Sequence, residues 1–300
     1  MKKTGYLIKR NMKLFFKDKG MFLTSLITPM ILLVLYVTFL GSIFRDSFTS
    51  AIPDGLEVSE NLIDALVGGQ LFSSLLAVCC VTVAFCSNLL MVQDKVSGAR
   101  TDLTMAPVKS SSLALGYYIA SAAVTLIICL VTTGIGFLYL ANIGWYFSAT
   151  DVIGILLDVF LLVMFGTALS SIINFFLSSQ GQISAVGTIV SAGYGFLCGA
   201  YMPISNFSEG LQKALMFIPG TYGTSLLRNH AMGGACEALL KEDVPKGVVN
   251  AIKDTVDCNL EFFEHSVDIP TMYLVMGISV IVLLAVYILM NIVGGKKRIR

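Results

Sequence analysis

The segment SNLLMVQDKVSGARTDLTMAPVKSSSLALG, from Ser87 to Gly116, separates two long apolar stretches of the chain. No Asp, Glu, Lys or Arg occurs in residues 65–93 or 110–150, whereas the centre of the quoted segment is charged. A helix needs about 20 apolar residues to cross the hydrocarbon core of a bilayer. The segment therefore lies between two predicted membrane spans. It is either a charged linker between them or a place where a partner outside the membrane binds.

The composition of the whole chain also indicates a membrane protein. Charged residues make up 13% of the sequence, against about 25% in soluble domains, which leaves too little polar surface to face water on all sides. Further charge-free stretches cover residues 20–44, 159–208 and 269–295. We therefore predict an all-α membrane protein with six transmembrane helices, at about 21–43, 66–92, 113–140, 152–177, 182–202 and 271–293.

The lysine and arginine residues predict the orientation of these helices. The N-terminal tail carries seven of them, the loop 93–112 carries three and the C-terminal tail carries four. Because cytoplasmic loops are enriched in Lys and Arg, we expect both termini and this loop in the cytoplasm. The predicted regions are a cytoplasmic amphipathic interfacial helix (1–20), spans one to five with the loop (21–202), an extracellular segment (203–270) and the last span with its basic tail (271–300).

Short helices are predicted outside the spans. The sequence YLIKRNMKLFFKDKG, residues 6–20, mixes aromatic and basic residues and is typical of a helix that contacts lipid at the inner membrane surface. Residues 209–218 and 220–234 are too short to cross a bilayer and predict re-entrant helices, the second of them stopped at Gly233 and Gly234. Residues 244–265 predict an amphipathic helix that faces water.

Sequence motifs of catalysis or nucleotide binding are not found. The chain has no G-x-x-x-x-G-K-S/T phosphate-binding loop, no G-x-S-x-G nucleophile turn and no H-E-x-x-H zinc motif. Its two histidines, His230 and His265, lie far apart, so we predict no metal site. No basic and aromatic surface indicates nucleic acid.

Asp158 and two cysteines are further candidates for function. A carboxylate in hydrocarbon is costly, so Asp158 in the fourth predicted span either lines a substrate path or a helix contact, or lies near enough to the outer surface to stay hydrated. Cys236 and Cys258 fall in the predicted extracellular segment, where thiols can be oxidised. They either remain free or pair, and we predict the disulfide.

The order of these features resembles the permease subunits of type-2 ABC exporters. The resemblance covers nearly the whole chain. It rests on the basic helix ending FFKDKG, the first span beginning LITPMILLVLYVTFLG, the loop with an acid-x-x-x-Gly pattern and Ala-Pro-Val, and the split stretch 202–234 before the last span. The family loop often reads Glu-x-x-x-Gly-Thr, whereas here Asp94 and residues 97–100 occupy that stretch.

The resemblance implies a function and partners. In such exporters the loop between spans two and three is a coupling helix that docks on a separate ATPase, which binds ATP and Mg²⁺, so this chain would hold no cofactor itself. A second permease, identical or related, would complete the pathway in a bacterial cell membrane. Leu103 would insert into the ATPase, with Asp94 and Arg100 at the rim. The residues in the coupling position are Asp94, Lys95, Gly98, Arg100, Leu103 and Pro107.

Other interpretations stay open at the level of sequence. The charged loop can be a linker that only orients the protein. A self-sufficient channel or an ion-coupled carrier is a second alternative, although it would carry more intramembrane charges than Asp158. A membrane-embedded enzyme is a third, and it would need clustered catalytic side chains. Co-purification with an ATPase distinguishes the exporter from these alternatives, and the residues do not identify the transported substrate.

Overall fold

The computed structural model describes residues 2–53, 56, 58–105, 108–263 and 265–297. The predicted helical class is confirmed, apart from one short antiparallel hairpin in which Glu261 pairs with Ser266. The elements in chain order are α1 (Lys2–Lys17), α2 (Lys19–Leu35), a π-helical turn (Tyr36–Leu40), α3 (Gly41–Ala51), α4 (Glu60–Val96), α5 (Ala99–Met105), α6 (Ser110–Ile143), α7 (Ala149–Phe176), α8 (Gln180–Leu197), a 3-10 turn (Ile204–Asn206), α9 (Glu209–Leu215), α10 (Pro219–Lys241), α11 (Lys246–Thr255), β1 (Leu260–Phe262), β2 (His265–Val267) and α12 (Ile269–Lys297).

Among the described residues, five helical segments are long and apolar enough to cross a membrane. They correspond to the first, second, third, fourth and sixth predicted spans, so the chain is a multi-pass membrane protein. The first of them joins α2, the π-helical turn and α3 into one segment. The five segments are Lys19–Ala51, Glu60–Val96, Ser110–Ile143, Ala149–Phe176 and Ile269–Gly294.

The fifth predicted span, residues 182–202, corresponds to α8, which is shorter than expected. It ends at Leu197, and its 18 residues begin with Gln180 and include a second glutamine at Gln182. These polar residues lower its apolar character, and α8 is not among the five segments above. The count of six spans therefore stays a prediction.

The helix α4 forms the centre of the bundle. Its side chains are buried along almost its whole length, and it packs against α2, α6, α7, α8 and α10. Small residues let the helix backbones approach each other closely. A Cβ on Gly166 of α7 would lie 3.0 Å from the Cα atom of Val81, and a Cβ on Gly69 would lie 2.7 Å from the carbonyl oxygen of Ala231 on α10. The backbone of α4 therefore packs closely against α7 near Val81 and against α10 near Gly69.

The helix α1 has the amphipathic character predicted for the N-terminus. Leu7, Asn11 and Phe15 are buried and repeat every four residues, which places them on one face of a helix. The helix packs along α6, whereas Tyr6 and Phe16 are exposed. The predicted N-terminal helix is confirmed, and its location at the membrane surface stays a prediction.

The helix α10 differs from the short helix expected before the last span. The sequence predicts that this helix stops at Gly233 and Gly234, but α10 continues through both glycines to Lys241. A Cβ on Gly234 would overlap the backbone carbonyl oxygen of Tyr146, in the connection between α6 and α7. This glycine therefore permits close packing and does not end the helix. Re-entry of α9 and α10 into the membrane stays a prediction.

The amphipathic helix predicted over residues 244–265 is also shorter in the structure. The helix α11 ends at Thr255, with Val249 and Ile252 buried in an apolar cluster that includes residues of α10. The chain then turns, with a positive φ of 54° at Asp257. Leu260 is buried, but it lies in the hairpin that follows. The amphipathic prediction is therefore right for α11 and wrong for the residues after it.

Candidate functional site

The segment predicted to couple to an ATPase, residues 93–105 and 108–112, is called the coupling segment below and is attached to the bundle at Asp94. This residue lies near the end of α4 and is 5% exposed. Arg10 of α1 donates two hydrogen bonds to its carboxylate, over 2.6 and 3.0 Å, and the Tyr117 hydroxyl of α6 donates another over 2.5 Å. The hydrogen bond to Asp94 raises the pKa of the Arg10 guanidinium. Because a buried carboxylate needs such donors, Asp94 holds α1, α4 and α6 together.

Lys95 attaches the coupling segment to the end of α7. Its Nζ atom donates hydrogen bonds to the backbone carbonyl oxygens of Asn174, Phe175 and Leu177, over 2.9, 2.6 and 2.9 Å. The same atom lies 5.6 Å from the centre of the Phe175 ring. The last carbonyls of a helix have no partner within the helix and carry partial negative charge. Lys95 therefore caps the C-terminus of α7.

One face of α5, which follows Lys95 in the chain, packs against the bundle. Gly98 has a φ of 83°, a left-handed conformation that glycine adopts without strain, and turns the chain from α4 into α5. Arg100 donates a hydrogen bond to Oδ1 of Asn291 on α12, over 3.3 Å. Leu103, one turn later, is half-buried and packs in a cluster with residues of α1, α4, α6, α7 and α12. This face of α5 therefore points inward.

The opposite face of α5 is open. Thr101, Asp102, Thr104 and Met105 are exposed, and Met105 is 80% exposed. We call these four residues the open face of α5.

This arrangement differs from the docking expected from the sequence, in which Leu103 enters a partner and Asp94 and Arg100 lie at the rim. Arg100 and Leu103 are three residues apart and share a helical face, and that face is the one that lies on the bundle. Asp94 is buried in the ion pair with Arg10. Pro107 lies outside the described residues. The outward apolar side chain of α5 is Met105.

A lateral groove of about 1540 Å³ lies between α2 and α8. Residues of α4, among them Cys86 and Leu89, line it between the two walls. The groove also includes Asp18 and Gln180, where α2 and α8 begin, and Asp254 beyond the far end of α8. Ligand sites are mostly apolar concavities with a few polar groups, and the groove has this composition. The groove cannot be recognised in the sequence, because its walls are distant in the chain.

Asp158 does not line this groove. It is 1% exposed, and its Oδ2 atom lies 2.7 Å from Nδ1 of His230 on α10. The imidazole fills a notch at Gly154 of α7, where a Cβ would lie 2.5 Å from the ring. Of the interpretations left open above, a helix contact fits this geometry, and a hydrated surface position does not. No group of three or more His, Cys, Asp or Glu residues within the described ranges is placed to hold a metal ion.

Cys236 and Cys258 are free thiols in the structure. Both are buried in the same apolar cluster, where α10 and α11 meet. Burial raises the pKa of the Cys258 thiol to about 12. Since the thiolate is the reactive form of cysteine, a thiol in this environment reacts slowly near neutral pH. The disulfide stays a prediction.

A comparison with protein families finds a match to the ABC-2 type transporter family over residues 2–231. The matched region runs from α1 into α10, so it includes the coupling segment and both helices that form the walls of the groove. A comparison with curated proteins found no match.

Proposed function

Because the chain belongs to the ABC-2 type transporter family, we propose that it is the permease of an ATP-driven exporter whose separate ATPase binds the open face of α5. The sequence contains no phosphate-binding loop, so in this proposal ATP and Mg²⁺ bind to the partner. The Lys and Arg distribution supports a cytoplasmic location for both termini and the coupling segment, and we propose that the membrane is that of a bacterial cell.

The contrast between the two faces of α5 is the observation that carries this proposal. The inward face is fixed to the bundle by the Arg100 contact with α12 and by the packing of Leu103. The outward face presents Met105 and Asp102 to the surroundings. An apolar side chain with polar neighbours is a suitable centre for a protein contact, because interface energy concentrates in a few buried anchors.

The attachments of the coupling segment give a route for mechanical coupling. Asp94 connects the end of α4 to α1 and α6, and Lys95 connects it to the end of α7. Coupling between distant sites is carried by packed helices and hydrogen-bond networks that move together. A partner that displaces α5 would therefore move the ends of α4 and α7 together with α1 and α6.

The groove between α2 and α8 is the proposed transport pathway. In this proposal α8 completes the six spans, since its 18 residues extend about 27 Å, close to the ~30 Å hydrocarbon core. The open side of the groove faces a second permease, identical or related, and the substrate moves between the two.

Purification of the tagged chain from its native cells in mild detergent tests the proposed function. We expect a subunit that is labelled by a photoreactive ATP analogue to co-purify, and the complex to hydrolyse ATP. Met105→Asp should lose this subunit, because a carboxylate would be desolvated at the contact, and Met105→Leu should retain it. Both variants should unfold at the wild-type temperature, which shows that the bundle is intact.

Two results would contradict the proposal in different ways. If Met105→Asp retains the ATP-binding subunit, the open face of α5 is not the docking surface. If no ATP-binding subunit accompanies the wild-type chain, the exporter function itself is wrong, and a channel or an ion-coupled carrier becomes the better interpretation.

A further inference from the structure

The charges of the groove between α2 and α8 indicate a substrate class, an inference that rests on the proposed export function. Within the described part of the chain, the charged residues that line the groove are Asp18 and Asp254, and no Lys, Arg or His lines it. Lys17, Lys19 and Lys253 neighbour these carboxylates in the sequence but are not part of the lining. The charged lining is therefore acidic.

The two carboxylates are exposed residues at the two ends of the groove. Asp18 is the N-cap of α2 and accepts a hydrogen bond from the backbone N–H of Met21 over 3.0 Å. Asp254 accepts a hydrogen bond from the side-chain amide of Asn259 over 2.7 Å. An asparagine side chain has a carbonyl oxygen that can accept the same hydrogen bonds, so these contacts do not themselves require a negative charge.

Several side chains that line the groove carry hydroxyl groups. Thr24, Ser184 and Thr188 each donate their proton to the carbonyl oxygen four residues earlier, over 2.7, 3.3 and 2.9 Å. The Tyr201 hydroxyl donates to the carbonyl oxygen of Ser191 over 3.3 Å. A hydroxyl that has used its proton can still accept hydrogen bonds. These hydroxyl oxygens can therefore act as acceptors toward a cationic group.

We propose that the exporter carries lipophilic cations, molecules that combine an apolar body with a positive charge. The apolar body packs on aliphatic and aromatic lining residues such as Ile31, Phe39 and Phe196. The positive charge interacts with Asp18 at one end of the groove and with Asp254 at the other. An anion of the same shape would give up its hydration and find neutral amide and hydroxyl groups beside two carboxylates, with no Lys, Arg or His among the described lining residues, which is unfavourable.

Tetraphenylphosphonium and tetraphenylborate test this inference, because the two ions share one shape and have opposite charges. The purified full-length protein in detergent is dialysed against each radiolabelled ion, and bound ion is measured as a function of concentration. We expect saturable binding of tetraphenylphosphonium and none of tetraphenylborate. Thr188→Trp places a large side chain in the groove and should abolish the binding of the cation, and its unfolding temperature shows whether the protein is folded.

Charge-neutral variants separate the role of the carboxylates from the shape of the groove. Asp18→Asn and Asp254→Asn should each weaken tetraphenylphosphonium binding by about two- to fivefold, the range for an ion pair accessible to solvent. Asp268→Asn is the matched control. Asp268 accepts a hydrogen bond from the backbone N–H of Thr271 at the start of α12 and does not line the groove, so this variant should bind like the wild type.

The inference is overturned if tetraphenylborate binds as tightly as tetraphenylphosphonium, if neither ion binds, or if Asp18→Asn and Asp254→Asn leave the affinity unchanged. Each of these failures leaves the proposed function in place as long as an ATP-binding subunit co-purifies with the chain. Loss of that subunit contradicts the proposed function whatever the groove binds, so the two failures are distinguishable.

Discussion

Arg10 and Asp94, 84 residues apart in the chain, form an ion pair with two hydrogen bonds that ties the N-terminal helix to the end of α4. The carboxylate is almost completely buried, whereas about a third of the Arg10 side chain is exposed. The pair therefore joins α1 to the coupling segment. The buried Asp94 carboxylate depends on Arg10 for its neutralisation, whereas the partly exposed Arg10 can be solvated by water instead.

Arg10→Ala should destabilise the protein more than Asp94→Asn. The first change leaves a buried carboxylate without its guanidinium, at a cost of roughly 1.5–3 kcal/mol. The second removes the buried charge, and the partly exposed Arg10 can turn to water. Unfolding temperatures of the purified variants measure both effects. In the double variant, part of the Arg10→Ala loss should be recovered. Equal losses in the single variants, or no recovery in the double variant, would contradict this account of the pair.

Lys95→Met should loosen the end of α7. The change keeps the apolar stem and removes the donor for three carbonyl oxygens, which should cost about 1–2 kcal/mol at a helix C-terminus. Hydrogen exchange at residues 174–178 should become faster. Lys109→Met is the control. Because Lys109 is exposed, this variant should leave the hydrogen exchange at residues 174–178 unchanged. The same exchange rate in both variants would show that Lys95 does not cap α7.

Leu103→Asp should lower the stability of the protein, whereas Met105→Asp should remove ATPase binding. Leu103 packs in an internal cluster, so an aspartate there buries a carboxylate and should lower the unfolding temperature. Met105 is exposed, so an aspartate there should leave the unfolding temperature unchanged and remove the ATPase. Thermal unfolding and co-purification are measured on the same preparations. A stable Leu103→Asp protein that lacks the ATPase would show that Leu103, as the sequence analysis expects, makes the contact.

Gly234→Ala and Gly233→Ala should have opposite effects on stability. A Cβ at Gly234 overlaps the backbone carbonyl oxygen of Tyr146, which cannot move cheaply, whereas a Cβ at Gly233 meets only the Asp151 carboxylate at 3.4 Å. Alanine at residue 233 should therefore gain up to about 1 kcal/mol of helix propensity, and alanine at residue 234 should lower the unfolding temperature. If both variants are stabilised, α10 does not pack on Tyr146 in this way.

If Cys236 and Cys258 are reduced, as they are in the structure, they should resist alkylation in the folded protein. The thiols are buried, and the pKa of Cys258 is raised to about 12 by burial, so little thiolate forms at pH 8. Because the folded state binds the proton more tightly than the unfolded state, stability should fall as the pH rises from about 9 toward 12. Mass spectrometry without reductant should find alkylation of both residues only after unfolding. Linked peptides would instead establish the disulfide predicted from the sequence.

Sequence and structure agree on those features that depend only on one continuous stretch of the chain. The span predicted at 66–92 corresponds to α4, Glu60–Val96, because crossing a bilayer depends on composition over a continuous stretch. The prediction was wrong at Gly234 because a helix-stopping glycine and a glycine that admits another backbone look alike in sequence. Only the contact with Tyr146, 88 residues earlier by number, separates the two.

Whether the coupling segment binds an ATPase stays a prediction, but the structure shows an orientation of α5 that the sequence did not predict. The coupling segment lies where the charges of the sequence indicate, yet α5 has seven residues, too few for a periodic pattern to show which face is buried. Arg10, a partner of Asp94, and Asn174, a partner of Lys95, lie 84 and 79 residues away, so no local pattern identifies them. The groove is beyond sequence reasoning for the same reason, since α2 and α8 line it together only in the folded chain.

Photo-crosslinking from α5 tests the central claim most directly. A photoreactive amino acid replaces either Met105 or Leu103 in the full-length chain, and the products formed in native membranes are probed with a photoreactive ATP analogue. The account predicts a crosslink from residue 105 to an ATP-binding subunit, and from residue 103 only products within the chain itself. A crosslink to the ATP-binding subunit from residue 103 and not from residue 105, or from neither, would contradict the claim that the open face of α5 receives the ATPase.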